Sequence, residues 1–203
     1  MQIGRTILAS ALVVAFPTLA LAHPIKGVGD FYNGVLHPLT SLEFVLPAVA
    51  SALFAGQQRR VTAIVALGAF PIALAAGAAT AAGVHSFSNS LSGAEWLGPL
   101  VMSVAGLCVA LSLRGPTLGV AALFIIFGFV LGSAQGVEIN SGISLPKFTL
   151  GAGCTGLLVM TYGIGLVRRL RRPWTPIAVR VAGSWVAAPG FMVLALTRSQ
   201  ATR

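Results

Sequence analysis

Charge in this chain is sorted by the apolar runs that separate it. The basic clusters Arg59-Arg60, Arg114 and Arg168 to Arg180 fall in alternate gaps between long apolar segments. Asp30, Glu43, Glu95 and Glu138, with His23, His37 and His85, fall in the other gaps or near the same helix ends. A globule in water has no reason to alternate its charge along the chain. A bundle threaded through a membrane does, because cytoplasmic loops retain Lys and Arg. At 8% charged residues and 56% hydrophobic ones, the chain also lacks the charge of a soluble domain, which is about 25%. The expected fold class is all-α, a polytopic transmembrane helix bundle, and the lipid bilayer is its first partner. The net charge of +9 then reads as an orientation signal with contact to anionic lipid, and not as a nucleic-acid surface.

The first residues combine Arg5, an apolar stretch and the small-residue end Ala20-Leu21-Ala22. This is the pattern of a secretory signal peptide over residues 1–22, cleaved after Ala22, with an uncleaved anchor helix as the alternative. His23 then opens the mature chain outside the membrane, where its amine and imidazole together can chelate a metal. Residues 23–203 form one transmembrane helical domain. A span needs roughly 20 apolar residues, and six runs supply them, at about 35–56, 61–83, 94–113, 116–136, 147–167 and 177–197. With a periplasmic N-terminus, Arg59, Arg60, Arg114, Arg168, Arg169, Arg171, Arg172 and Arg180, eight of the 13 Lys and Arg residues, face the cytoplasm and no acid does. Localisation in the inner membrane follows.

Small residues mark where such helices meet, since packing rather than hydrophobicity drives association in lipid. Gly128, Gly132 and Gly136 give the fourth helix one flat face, Gly115 and Gly119 continue it, and the second helix is thin around Ala73–Ala82. The run Gly151 to Gly156 matches the dinucleotide fingerprint G-x-G-x-x-G. That fingerprint requires a preceding strand, and this copy lies in an apolar helix, so it is read as packing surface together with Gly163 and Gly165. Cys108 and Cys154 both sit within apolar runs and are read as small packing residues. There is no nucleophile elbow, no H-E-x-x-H and no C-x-x-C, so an enzyme is not expected, nor any permanently bound cofactor.

Polar side chains are densest from His23 to Glu43. Pro38 is suited to opening the first helix directly after His37, which would place Glu43 about one and a half turns inside, roughly 8 Å along the axis. Ionisable groups at such depth are functional candidates by default. Pro47 removes the hydrogen bond to the Glu43 carbonyl, so one residue offers a carboxylate and a freed backbone oxygen, the device by which broken helices hold ions. Pro99 stands in the same relation to Glu95. His37 and Glu43 are about 240° apart on an ideal helix, so they do not share a face unless the helix start is irregular. Asp30 and His85 are expected in loops.

Ala22-His23-Pro24, followed by Phe31-x-x-Gly34-x-x-His37-Pro38-Leu39-x-x-Leu42, resembles the HupE/UreJ family of hydrogenase and urease accessory membrane proteins. The resemblance continues in Gly132-x-x-x-Gly136-x-Glu138 and in Gly163-Ile164-Gly165. It implies a small polytopic membrane protein that carries a divalent cation, nickel or cobalt, with His37, Glu43, His23 and Glu138 as metal ligands. The alternative it leaves open is a non-transporting accessory protein that docks a urease or hydrogenase maturation partner on Arg168-Arg169-Leu170-Arg171-Arg172. A homo-oligomer is left open as well. The chain departs from the family's H-P-x-x-G-x-D-H by carrying Ser41, Glu43 and Phe44. It departs from H-G-H-A-H-G by reading Leu131-Gly132-Ser133-Ala134-Gln135-Gly136, and Met160 stands near another expected histidine. Imidazole suits nickel, whereas carboxylate and carbonyl oxygens suit harder ions. The ligand set in this chain is thinner and harder than the family pattern.

Overall fold

Without water to take up stray backbone groups, an apolar run in lipid must satisfy its own hydrogen bonds, and helix is how a single segment does so. In the computed structural model, residues 29–84, 94–137, 139, 142–170 and 172–201 are described. Among them there are seven α-helices and no strand. In chain order these are α1 (Asp30–Thr40), α2 (Leu42–Gln57), α3 (Arg60–Gly83), α4 (Leu97–Ala110), α5 (Thr117–Val137), α6 (Leu145–Arg169) and α7 (Thr175–Ala201). Four of them, α3, α5, α6 and most of α7, are long and apolar enough to cross a membrane. The α4 helix has 14 residues, roughly 21 Å at 1.5 Å per residue. Hydrogen-bonded turns extend it at both ends, from Leu97 N–H to Ala94 O and from Leu113 N–H to Cys108 O, each 3.0 Å.

The first apolar run differs from its sequence reading. It is not one helix begun by Pro38 but two, α1 and α2, bent by 81° at Ser41. Pro38 lies inside α1, and Asp30, expected in a loop, is the first residue of that helix. The Thr40 hydroxyl donates to the His37 carbonyl at 2.8 Å, taking the acceptor that the next turn would have used. Ser41 is extended, with φ −94° and ψ 118°.

Glycines set the packing. In the α3–α5 seam, Gly128, Gly132 and Gly136 face the carbonyls of Phe70, Leu74 and Ala78, and Gly77 faces that of Phe129. Each contact brings backbone against backbone with no room for a methyl group, the close approach that lets helices associate in lipid. In the α4–α7 pair, Gly106 meets Gly183 and Ala187, and Gly190 meets Ser103. The short α1 lies on α6 through Gly34 and Gly151, whose neighbours are the Phe148 and Phe31 carbonyls. It is tied there by Thr155 Oγ1 donating to Val35 O at 2.8 Å and by the Ser144 N–H donating to Asp30 Oδ2 at 3.0 Å. Three of the expected packing glycines do not serve, Gly115 among them, which meets only Val120 five residues on. Gly119 meets only Pro116 of its own turn, and Gly165 has nothing within 4 Å. Cys154 is likewise exposed, whereas Cys108 is buried.

Between these pairs runs α2, with ten of its 16 residues buried. It contacts α6 and α4 most extensively, and its Phe54 stacks on Phe124 of α5 at 5.7 Å. Its last residues close one end of the bundle, the end at which the arginines gather. Gln57 Nε2 donates to Val109 O at 3.2 Å and Gln58 Nε2 to Leu113 O at 2.8 Å. Arg168 Nη2 donates to Gln58 O at 3.1 Å, and the Thr62 and Thr117 hydroxyls bond at 2.8 Å. The chain leaves α4 here through Ser112, which adopts the left-handed conformation at φ 50°.

Candidate functional site

The opposite end carries the acids. Glu43 sits in the first turn of α2, because the helix restarts at Leu42 rather than running through from Pro38. Glu95 lies in the turn that leads into α4. Both carboxylates are exposed, and both line one cavity of about 270 Å³. Gly98, Pro99 and Met102 of α4 and Val193 and Thr197 of α7 complete its wall. Pro47 lies inside α2, so the Glu43 carbonyl lacks its usual helical donor, and Pro99 does the same for Glu95.

His37 takes a different direction. It is buried in α1, with its ring 6.0 Å from that of Phe148 at the start of α6. The bend at Ser41 therefore separates the two expected ligands: His37 packs toward α6, while Glu43 opens toward α4 and α7. The other two, His23 and Glu138, lie outside the described residues, as does His85. Among the described residues no three of His, Cys, Asp and Glu converge as a metal site. The cavity thus offers two carboxylates, a thioether sulfur at Met102 and the Thr197 hydroxyl, which itself bonds to Leu194 O at 3.0 Å. Such an oxygen-rich, incomplete shell leaves a divalent cation to keep part of its water, as hard cations do.

The departures from the family pattern acquire a location. Phe44, Leu131 and Met160, at or near three positions where the resemblance expects histidine, are buried in one continuous apolar core with Phe54, Phe70 and Phe124. Gln135, at another, is also buried, and its Oε1 has no hydrogen-bond partner among the described residues. Apolar side chains stand at three of these positions and the buried polar Ser133 and Gln135 at the other two, while Glu43 and Glu95 reach a cavity to one side. Glu95 was not among the ligands expected from the sequence. The sole available signal was the shared relation of Glu43 to Pro47 and of Glu95 to Pro99.

A family model described as HupE / UreJ protein matches residues 11–193. A relative, "Protein HupE" from Rhizobium leguminosarum bv. viciae, is 25% identical over 181 residues, covering 89% of this chain and 93% of the relative. No solved structure matches the chain.

Proposed function

The chain belongs to the HupE/UreJ family, and we propose that it is an inner-membrane permease for a divalent cation, nickel or cobalt, with its acidic end periplasmic. The observation that carries this reading is the cavity in which Glu43 and Glu95, from separate helices, share one wall. Two carboxylates attract a divalent cation, and a ligand shell left open among the described residues lets it leave again. His37 packs on α6 away from this cavity, so its part is to seat α1, and His23 and Glu138 are proposed as further ligands for capture. The orientation rests on the arginines of the opposite end, which the positive-inside rule assigns to the cytoplasm. The alternative of a docking protein draws on Arg169 and Arg172, which are exposed. Arg168 is less suited to it, being half-buried and bonded to Gln58 O.

Cellular accumulation of nickel, cobalt, zinc and manganese, with the protein expressed, tests the proposal. Uptake of one ion is expected, with Glu43→Gln and Glu95→Gln each removing most of it and His37→Ala reducing it. No accumulation of any ion by correctly inserted protein overturns transport. Retention of uptake by the Glu43→Gln, Glu95→Gln double variant overturns the site.

A further inference from the structure

Arg180 is a cation in the wrong place for a loop residue. It lies between Val179 and Val181 in α7, five positions beyond the first residue of the helix, roughly 7.5 Å along its axis. The side chain is exposed, on a face whose neighbours Ile177, Val181 and Trp185 are exposed as well, so it looks toward lipid. A charge at such a position is costly unless it reaches the interface or meets an opposite charge. Helical side chains slant toward the N-terminus of their helix, which here is the end where half-exposed Trp174 stands, a residue type typical of the headgroup level.

The guanidinium is held rather than loose. Its Nε–H donates to the Ala110 carbonyl at the end of α4, at 2.8 Å. That bond fixes the plane of the group and leaves both Nη nitrogens uncommitted among the described residues. Among the described residues no carboxylate stands here. Asp30, Glu43 and Glu95 lie toward the opposite end of the bundle. Beside Arg180 is an open groove of about 310 Å³ between α4 and α7, with Ile177, Val181, Ser184 and Ala110 as its other walls. The Ser184 hydroxyl donates to its own helix at Val181 O, 2.8 Å, so the guanidinium is the donor facing the groove. An anionic head and an apolar body are what this combination complements.

We propose that the groove binds one anionic phospholipid of the phosphatidylglycerol class, its phosphate on Arg180 and an acyl chain along Ile177 and Val181. The site is separate from the cavity of Glu43 and Glu95, and it stands whether or not the protein transports a cation.

The test uses the purified full-length protein in neutral detergent, with bound lipid counted by native mass spectrometry during titration with phosphatidylglycerol, phosphatidylcholine or inorganic phosphate. One phosphatidylglycerol is expected to bind in preference to phosphatidylcholine. Arg180→Gln, which can still donate to Ala110, and Val181→Trp, which fills the groove and leaves Arg180 in place, should each weaken it about tenfold, the scale of one lost charge-assisted contact. An Arg169→Gln, Arg172→Gln variant should leave it unchanged. Equal binding of phosphatidylcholine, full displacement by inorganic phosphate, or loss in the loop variant with none in Val181→Trp would each overturn the proposal. The Val181→Trp arm decides alone if Arg180→Gln does not fold.

Discussion

The two ends of this bundle are built on opposite plans. At the arginine end, polar side chains are spent on closure: Gln57, Gln58, Arg168 and Arg180 each cap a carbonyl at a helix end or in a loop, and Thr62 bonds Thr117 across the gap between α3 and α5. At the acid end, Glu43 in the first turn of α2 and Glu95 just before α4 face a cavity. An arrangement of the first kind serves stability, because each buried carbonyl left unmet costs about 1–3 kcal/mol. The second kind forgoes that stability and keeps its polar groups available. The comparison teaches that polarity in a membrane bundle is informative only with its partners counted. Gln57 shows why: its Nε2 donates to Val109 O, while its Oε1, like that of Gln135 at the other end, has no partner among the described residues.

Three measurements bear on this contrast, in order of expected size. A cation at a hundred times its dissociation constant should raise unfolding stability in mixed micelles by about 2.7 kcal/mol. The Glu43→Gln, Glu95→Gln protein should lose that increment while its cation-free stability stays within about 0.5 kcal/mol of the parent, as expected for exposed sites. A large cation-free change would show that the acid end is structural after all. Next, Gln58→Leu should cost about 2 kcal/mol in the same unfolding titration, since the Leu113 carbonyl loses its donor inside the packed end. A silent substitution there would remove the basis for calling that end closed. The smallest effect belongs to Ser112→Gly. Ser112 holds a left-handed conformation, and glycine should gain about 0.5–1 kcal/mol by relieving it.

Much of the helical architecture was legible, because length and apolarity are local properties of a run. The runs at 61–83, 116–136, 147–167 and 177–197 lie on α3, α5, α6 and α7, and the run at 94–113 lies on the shorter α4 with its flanking turns. The thin faces of α3 and α5 were legible too, from Gly128, Gly132 and Gly136 and from the alanines near Gly77, although spacing alone did not say that they meet. The break at Ser41 was not. Prolines at 38 and 47 drew attention to either side of it, while the residues that end α1 there act through a Thr40 hydroxyl and a tertiary seat on α6. The pairing of Glu43 with Glu95 joins segments that are remote in sequence, so no periodicity could announce it. Gly119 and Gly165 carry the residue type of a helix seam without a partner. Composition marks where close approach is allowed, and only the neighbouring helix decides whether it occurs.

The seat of α1 has a consequence for how the molecule is made. Residue 30 bonds to residue 144, Val35 to Thr155, and Gly34 lies against Phe148. A ribosome delivers α1 more than a hundred residues before α6, at about 5–20 residues per second. Its buried face, with Asn33 and His37, must therefore wait for several seconds of synthesis without the surface it is shaped to fit. Among the earliest segments to reach the bilayer, α1 is among the last that can be finished, and the orientation of His37 is settled only when the sixth helix arrives.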